Sequence, residues 1–513
     1  MKKTTEEKKE RMKRAEEISE ALGAVGDDLL ADADGIRDSE KKKEADDAKK
    51  QKAQKRKRLI SVGAGIAAVL VIAGFGISTI PNLTLRAHAL AEAEYPQQIQ
   101  YPTLAGQLLS DIGLKEREWQ KDSSERRRAA VGKTESLWSF TGMAAAQILG
   151  GTDARENPIL SPLSVYMALG MLSEITEGQT QSEILSVLGG CSQETLREEA
   201  NAVWTSAYTD DRTAICIPAN SLWFDNHLDC DNAVLRQLAD TYYASSYQGA
   251  MGSSSFDRAF VQWLGGQTGG MLDETVKGMH FEPYPDNVFA LSSTLSFAAK
   301  WNDKFRASNT EKEIFHGTAG DETVPFMKKQ KETMSYYWGD GYGAVSLSFE
   351  LGGDMWFILP DEGVTPSEVL AAGNFWDIVR NPYGEDVGSK HMLVNLAIPK
   401  FDTTSDLDLK ADLQALGVKS VFDGTAAEFS LFDESETTEA WVSAVRHAAR
   451  VTIDEEGCTA TAFTVLPGAG AAEPPTEIID FVCDRPFVFV ITGRLGTNDD
   501  CLPLYVGIVE EIG

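Results

Sequence analysis

The sequence predicts an α/β domain of mixed α+β type, preceded by one transmembrane helix. Three observations carry that prediction. Residues 59–80 are an uncharged apolar run placed directly after a basic cluster. From about Lys133 the composition becomes that of a folded domain, with helix-spaced apolar residues over 137–149 and strand-like runs such as 219–224. Near the C-terminus, residues 454–486 hold small and β-branched side chains and then a stretch of Ala interrupted by Gly and Pro, two residues that neither helix nor strand favours.

Taken in order, residues 1–58 are rich in Lys, Glu, Asp and Ala and read as a solvated, charged cytoplasmic tail. Residues 59–80 carry no charge. As a helix rising 1.5 Å per residue they would cover about 30 Å, the hydrocarbon thickness of a bilayer. Lys49, Lys50, Lys52, Lys55, Arg56, Lys57 and Arg58 precede the run. The positive-inside rule therefore places the N-terminus in the cytoplasm and everything after Pro81 outside the cell, in a single-pass arrangement held by membrane lipid around residues 59–80. Residues 81–132, with Pro96, Pro102 and the charged patch 116–128, read as a stalk or linker. The domain proper is expected over 133–513.

Composition excludes several classes of function. A formal net charge of -30 argues against nucleic acid or a heparin-like polyanion as partner. The six cysteines are widely spaced without a CxxC pair, and the six histidines include no HExxH, so neither a disulfide scaffold nor a zinc site is expected. No GxSxG or phosphate-binding loop occurs.

Within the domain, Ser161-Pro162 should open a buried helix, with Ser161 as N-cap and Pro162 at the first helical position. In the small-residue stretch, a strand reading sends Cys458, Ala460, Ala462, Thr464 and Gly468 to one face and Thr459, Thr461 and Phe463 to the other. The stretch suits either an exposed loop or a strand inside a sheet.

Its flanks carry a resemblance. Glu455-Glu456-Gly457 followed by small residues resembles the hinge of a serpin reactive-centre loop. Asp484-Arg485-Pro486-Phe487-Val488-Phe489 resembles that family's signature after the loop, and Leu504-Tyr505-Val506-Gly507 its closing strand. Residues 157–172 resemble the helix beneath the main sheet, and 177–188 the next turn and helix. Residues 219–224, 263–272, 295–305, 324–327, 355–360, 394–401 and 413–422 continue the series in order, so the resemblance covers approximately 133–513.

The resemblance implies a serpin fold: a large central sheet, two further sheets, surrounding helices and an exposed loop. It also implies a suicide substrate without catalytic residues or cofactor. A protease cuts the loop, the freed segment inserts into the main sheet, and the acylated enzyme is dragged across the molecule. Fifteen residues at 3.3 Å each would move it about 50 Å. The family's hinge length places the cut at Ala471–Ala472, with Ala469 or Gly470 as alternatives. A small residue there suits the shallow pockets of elastase-like or subtilisin-like serine proteases rather than trypsin-like ones. The implied hinge is Glu455, Glu456, Gly457, Cys458, Thr459, Ala460, Thr461 and Ala462. Ser161, Ser164 and His447 match the polar shutter, with Val261 where its Asn is expected. Trp301, Lys400 and Glu455 match the breach, where the loop enters. Cys458, Phe463 and Pro467 depart from the usual hinge. Phe463, Pro467 and Val261 support one alternative, a non-inhibitory binding module on the same fold, and the small loop residues permit another, an inhibitor of a cysteine protease. Residues 192–208 lack the basic helix that a heparin-type activator needs.

Overall fold

A computed structural model describes residues 83–102, 109–151, 157–270, 272, 279–283, 289–350, 352–385, 387–431, 440–442, 445–458, 475–496 and 500–512. The expected tail (1–58) and span (59–80) lie outside the described residues. So does the loop from Thr459 to Pro474, including Ala460, Thr461, Ala462, Ala469, Gly470, Ala471 and Ala472. Among the described residues, no helix is long and apolar enough to cross a membrane.

Two large sheets organise the chain. In the first, the order is β1 (Ala89–Ala91), β5 (Ala244–Gly249), β4 (Ile215–Asp225), β6 (Phe289–Lys300), β14 (Gly457–Cys458), β13 (Arg446–Ile453) and β12 (Phe401–Asp408), with β3 (Thr209–Asp210) paired to β4. Every residue of β4 is buried, as expected of a strand covered on both faces. The second sheet runs β15 (Ile478–Val482), β11 (Ser389–Pro399), β8 (Gly320–Gly339), β9 (Tyr342–Ser348), β10 (Asp354–Pro360), β16 (Phe487–Arg494), β17 (Cys501–Val509) and β2 (Ile159–Leu160), with β7 (Glu311–Gly317) on β8.

Among the described residues, the strands outside the main sheet form one further sheet instead of the expected two. The long strands β8 and β11 pair from Ser389–Tyr337 to Pro399–Phe326 and so keep these strands in one sheet. Their ladder bends where the register shifts between Val394 and Leu396. There Lys331 takes a positive φ of 53° and its N–H donates to Asn395 Oδ1 at 3.1 Å, so the bulge keeps the backbone satisfied.

Among the described residues the helices in chain order are α1 (Leu83–His88), α2 (Leu109–Arg127), α3 (Glu135–Leu149), α4 (Pro162–Glu174), α5 (Gly178–Val187), α6 (Gln193–Ala207), α7 (Asn232–Tyr242), α8 (Ser254–Gln267) and the short α9 (Pro366–Ala372), α10 (Trp376–Arg380) and α11 (Lys410–Leu416). Ser161 caps α4 as its sequence predicts: its Oγ accepts the Ser164 N–H at 3.3 Å, and Pro162 follows at the first helical position. Nearly every side chain of α4 is buried, because the helix touches β6 of the first sheet and β17 of the second. The helix expected over 263–272 begins upstream as α8 and ends at Gln267.

Residues 83–132 are not a free stalk. Ala89 and Ala91 bridge to Tyr247 and Ser246, which adds β1 to the edge of the main sheet beside β5. Past β1, the Ala93 N–H donates to Ser245 Oγ at 3.1 Å. Tyr95 packs its ring 5.1 Å from Trp204 and 5.4 Å from Tyr208. Gln98 spans the chain reversal after α6, donating to the Tyr208 carbonyl and accepting from the Asp210 N–H. Tyr101 N donates to Asp211 O at 2.9 Å. The buried Trp119 of α2 donates through Nε1 to the fully buried Asp211 carboxylate at 2.8 Å. The prolines and polar side chains of this stretch hide it from a periodicity argument. It is held by backbone and amide hydrogen bonds together with a few unevenly spaced apolar contacts, Tyr95 foremost.

Candidate functional site

The site is a slot in the main sheet. Strands β6 and β13 run parallel, and among the described residues only β14 joins them. β14 is two residues long and antiparallel to both: Gly457 pairs with Lys300, and Cys458 pairs with Ala299 on one side and Ile453 on the other.

The turn that feeds β14 is built by Asp454, whose Oδ1 accepts the N–H groups of Glu456 and Gly457 at 2.8 and 3.2 Å. Gly457 has φ 155°, and a Cβ there would lie 2.4 Å from the Ala299 carbonyl oxygen, so only glycine passes this point. Cys458 is 2 % exposed, and burial pushes its thiol up to about 12. It packs as a small apolar side chain rather than acting as a nucleophile.

The structure brings Trp301, Lys400 and Glu455 together. Lys400 Nζ donates to Glu455 Oε2 at 2.7 Å, and Thr310 Oγ1 donates to Oε1 at 2.7 Å. Burial raises the Glu455 pKa, but these two hydrogen bonds outweigh it and hold the carboxyl below its usual range. Trp301 Nε1 donates to Asp454 O at 2.9 Å, and its backbone N–H to Glu456 O at 3.1 Å. The indole stacks on Phe349 at 5.0 Å and 10°. Lys304 closes the outer side through Glu456 at 2.6 Å. Every residue from Asp454 to Cys458 is thus fixed by at least one partner outside the turn or by a ladder.

Ser161, Ser164 and His447 also meet, at the far end of the slot. The Ser161 N–H donates to His447 Nε2 at 3.0 Å. Burial lowers the His447 pKa to about 4, which keeps the ring neutral and able to accept that bond. Beside it lies a cavity of about 50 Å³ lined by Ser164, Leu169, Leu172, Leu291, Ser293 and His447. The hydroxyls of Ser164 and Ser293 are buried there without a hydrogen-bond partner among the described residues.

Val261 does not belong to this cluster. It sits on α8, half-buried, while β6 supplies the facing side chain as Ser293. The signal for Ser293 was strand parity. Ala299 is the partner of Cys458, and 297, 295 and 293 fall on the same face. Thr310 was missed because nothing in the local sequence shows that the 3₁₀ turn at Ala307–Asn309 delivers it to Glu455.

A slot between parallel strands, plugged at one end by a glycine hinge, is a mechanical arrangement. A family model described as "Serpin (serine protease inhibitor)" matches residues 139–507.

The chain belongs to the serpin family.

Among curated serpins, it is 29% identical to Serpin-ZX of Arabidopsis thaliana over 72% of this chain and 95% of that one. It is 30% identical to Iripin-2 of Ixodes ricinus over 70% and 88%. Among solved serpin structures, Arabidopsis AtSerpin1 in its native stressed conformation matches with TM-score 0.61 and 25% identity, over 75% of this chain and 98% of that one. The native-state thermophilic serpin Tengpin matches with TM-score 0.62 at 24% identity over 74% and 94%, a likeness of fold.

Proposed function

We propose that this serpin is a membrane-anchored suicide inhibitor of an extracellular serine protease, cut at Ala471–Ala472. The observation that supports it most is the hinge. Gly457 and Cys458 already stand between β6 and β13, and those strands have no ladder of their own among the described residues. A longer segment entering behind Cys458 gains two hydrogen-bond ladders and buries small side chains. Antiparallel addition between two existing strands is a large and cooperative gain. In this reading Trp301, Lys400 and Glu455 hold the mouth of the slot, and Ser161, Ser164 and His447 line the place where the strands part. The small side chain at Ala471 favours elastase-like or subtilisin-like targets, and a covalent acyl link traps them.

Incubation with an elastase-like protease is expected to give a complex that survives denaturing electrophoresis, with Ala471 at the new C-terminus by mass spectrometry. Clean cleavage with full turnover overturns inhibition of that protease. Cysteine proteases belong in the same panel, since small loop residues admit them too. The non-inhibitory alternative loses one of its supports, because Val261 lies outside the cluster it was thought to weaken. It retains Phe463 and Pro467 in the loop. Under it, loop cleavage leaves the melting temperature unchanged.

Anchoring rests on the charge-free run 59–80 behind its basic cluster. The full chain should fractionate with membranes and resist alkaline extraction, with residues 133–513 open to protease added outside the cell. Release by alkali rejects the span.

A further inference from the structure

One face of the second sheet carries a polar cavity that has no part in the slot. The registers of β9, β10 and β16 set Ser348, Asp354 and Thr492 in one row and Ser346 beside Trp356 in the next. Arg494 follows Thr492 on the same face by strand parity. The end of α10 and the chain after it cover part of this floor and leave a space of about 160 Å³. Tyr383, 70 % exposed, forms its rim. The other flank of α10 is closed, since Trp376 packs on Trp138 at 6.0 Å and Arg380 pairs with Glu135. No residue of α3 therefore lines the cavity.

Four groups here have hydrogen-bonding capacity to spare. Trp356 is 2 % exposed, yet its Nε1–H makes no hydrogen bond among the described residues. The Arg494 guanidinium makes none there either, and Asp354 Oδ2 stands 3.8 Å from it. Asp354 Oδ1 accepts from Ser348 Oγ at 2.6 Å, which leaves Oδ2 open. Ser346 Oγ, half-buried, has no partner among the described residues. Buried polar groups are ordinarily paired, so unpaired donors and an acceptor converging on one space point to a ligand.

We infer that this cavity binds one hexopyranose ring, a neutral and multiply hydroxylated ligand. Its volume falls below the roughly 300–1,000 Å³ of drug-sized sites, so the occupant is small. Its charges balance: Arg380 and Arg494 stand against Asp354 and Asp500. An anion drawn to Arg494 would also meet Asp354, and a cation drawn to Asp354 would meet Arg494. A sugar hydroxyl escapes that conflict, because it donates to Asp354 Oδ2 while accepting from Arg494 or from Trp356 Nε1–H. Tyr383, together with Tyr337 packed 5.1 Å from Trp356, supplies aromatic surface for the ring's C–H groups. A free monosaccharide and the terminal ring of a glycan share this chemistry. The site lies outside the main sheet and does not depend on loop cleavage or insertion.

The test is calorimetric titration and saturation-transfer NMR on the full-length chain. The neutral probes are the methyl glycosides of glucose, galactose, mannose and N-acetylglucosamine, and glucuronate is the charged one. Wild type should bind at least one neutral glycoside. Arg494→Gln should weaken that binding about tenfold, and Trp356→Phe and Ser346→Ala about fivefold each. Arg494 and Ser346 are not fully buried, so their variants keep the test open should Trp356→Phe fold poorly. Ile478→Ser, on an exposed position of β15 outside the cavity, should leave the affinity unchanged. A trisaccharide that binds more tightly than its matching glycoside identifies a glycan terminus, and equal binding or exclusion of the trisaccharide identifies the free sugar; each supports the site. If no neutral glycoside binds, if glucuronate alone binds, or if the cavity variants keep wild-type affinity, the assignment is overturned.

Discussion

Lys400 Nζ lies 2.7 Å from Glu455 Oε2, linking the residue that joins β11 to β12 with the turn that feeds β14. Both side chains are partly buried, and the carboxylate has a second donor in Thr310. Lys400→Ala leaves Glu455 half-desolvated with one donor. It should cost about 1–2 kcal/mol of native stability in urea unfolding. Glu455→Gln, which keeps the shape and the Thr310 bond, should cost less. Because the Glu455 pKa is depressed on folding, its contribution is fully present above the ordinary carboxylate pKa and fades as pH falls through the folded value. Equal losses in the two variants would show that the ion pair is not what holds the turn.

His447 titrates in the same acid direction for a different reason. Its pKa falls from the ordinary 6.5 to about 4 on burial. Between those values the unfolded chain binds the proton and the folded one does not, so stability is full above pH 6.5 and declines towards pH 4. The loss should reach about 3 kcal/mol, to order of magnitude, by the low end of that window. His447→Gln can still accept the Ser161 N–H and does not titrate. Its stability should be nearly flat over the window, and a wild-type-like slope would place the proton elsewhere.

Gly457→Ala places a methyl 2.4 Å from a backbone oxygen at a φ that L side chains rarely adopt. The strand rather than the oxygen must give way, because Ala299 is locked in β6. The expected result is expulsion of β14, seen as faster hydrogen exchange at Cys458, with a stability loss of about 2–3 kcal/mol. Unchanged protection at Cys458 would mean that the plug tolerates a side chain.

Tyr95→Ala should destabilise the domain by about 2–3 kcal/mol, since its ring closes a cluster with Trp204, Tyr208 and Tyr243. Gln98→Ala removes the clamp on Tyr208 and Asp210 and should cost about 1 kcal/mol. If both variants melt with the wild type, residues 89–102 add nothing to the fold.

Much of this was legible in the sequence. The Ser161-Pro162 opening of α4 follows from capping chemistry alone, whereas the hinge at Gly457 came from the resemblance of its flanks to a known family. The pairing of Lys400 with Glu455, 55 residues apart in sequence, came only through family resemblance. What stayed hidden was set by contacts without a local pattern. Ser293 looks like any strand serine until its register to Cys458 is known. The long β8–β11 ladder keeps in one sheet what were expected as two, across a bulge at Asn395 and Lys331 that no propensity marks. Residues 83–102 dock through carbonyls, amides and the single ring of Tyr95, without a periodic apolar pattern, so composition could not announce them.

The docked segment also decides where force arrives. The described domain begins with α1, which packs on α8 and β5, and then β1, whose two bridges to β5 sit three strands away from the slot between β6 and β13. A pull on that end of the chain loads an outer margin of the sheet, backed by Tyr95, Gln98 and Trp119, before it can reach the strands that must separate. On the anchoring and insertion proposed above, a leash fastened there could be tugged by flow or by a moving surface without springing the trap.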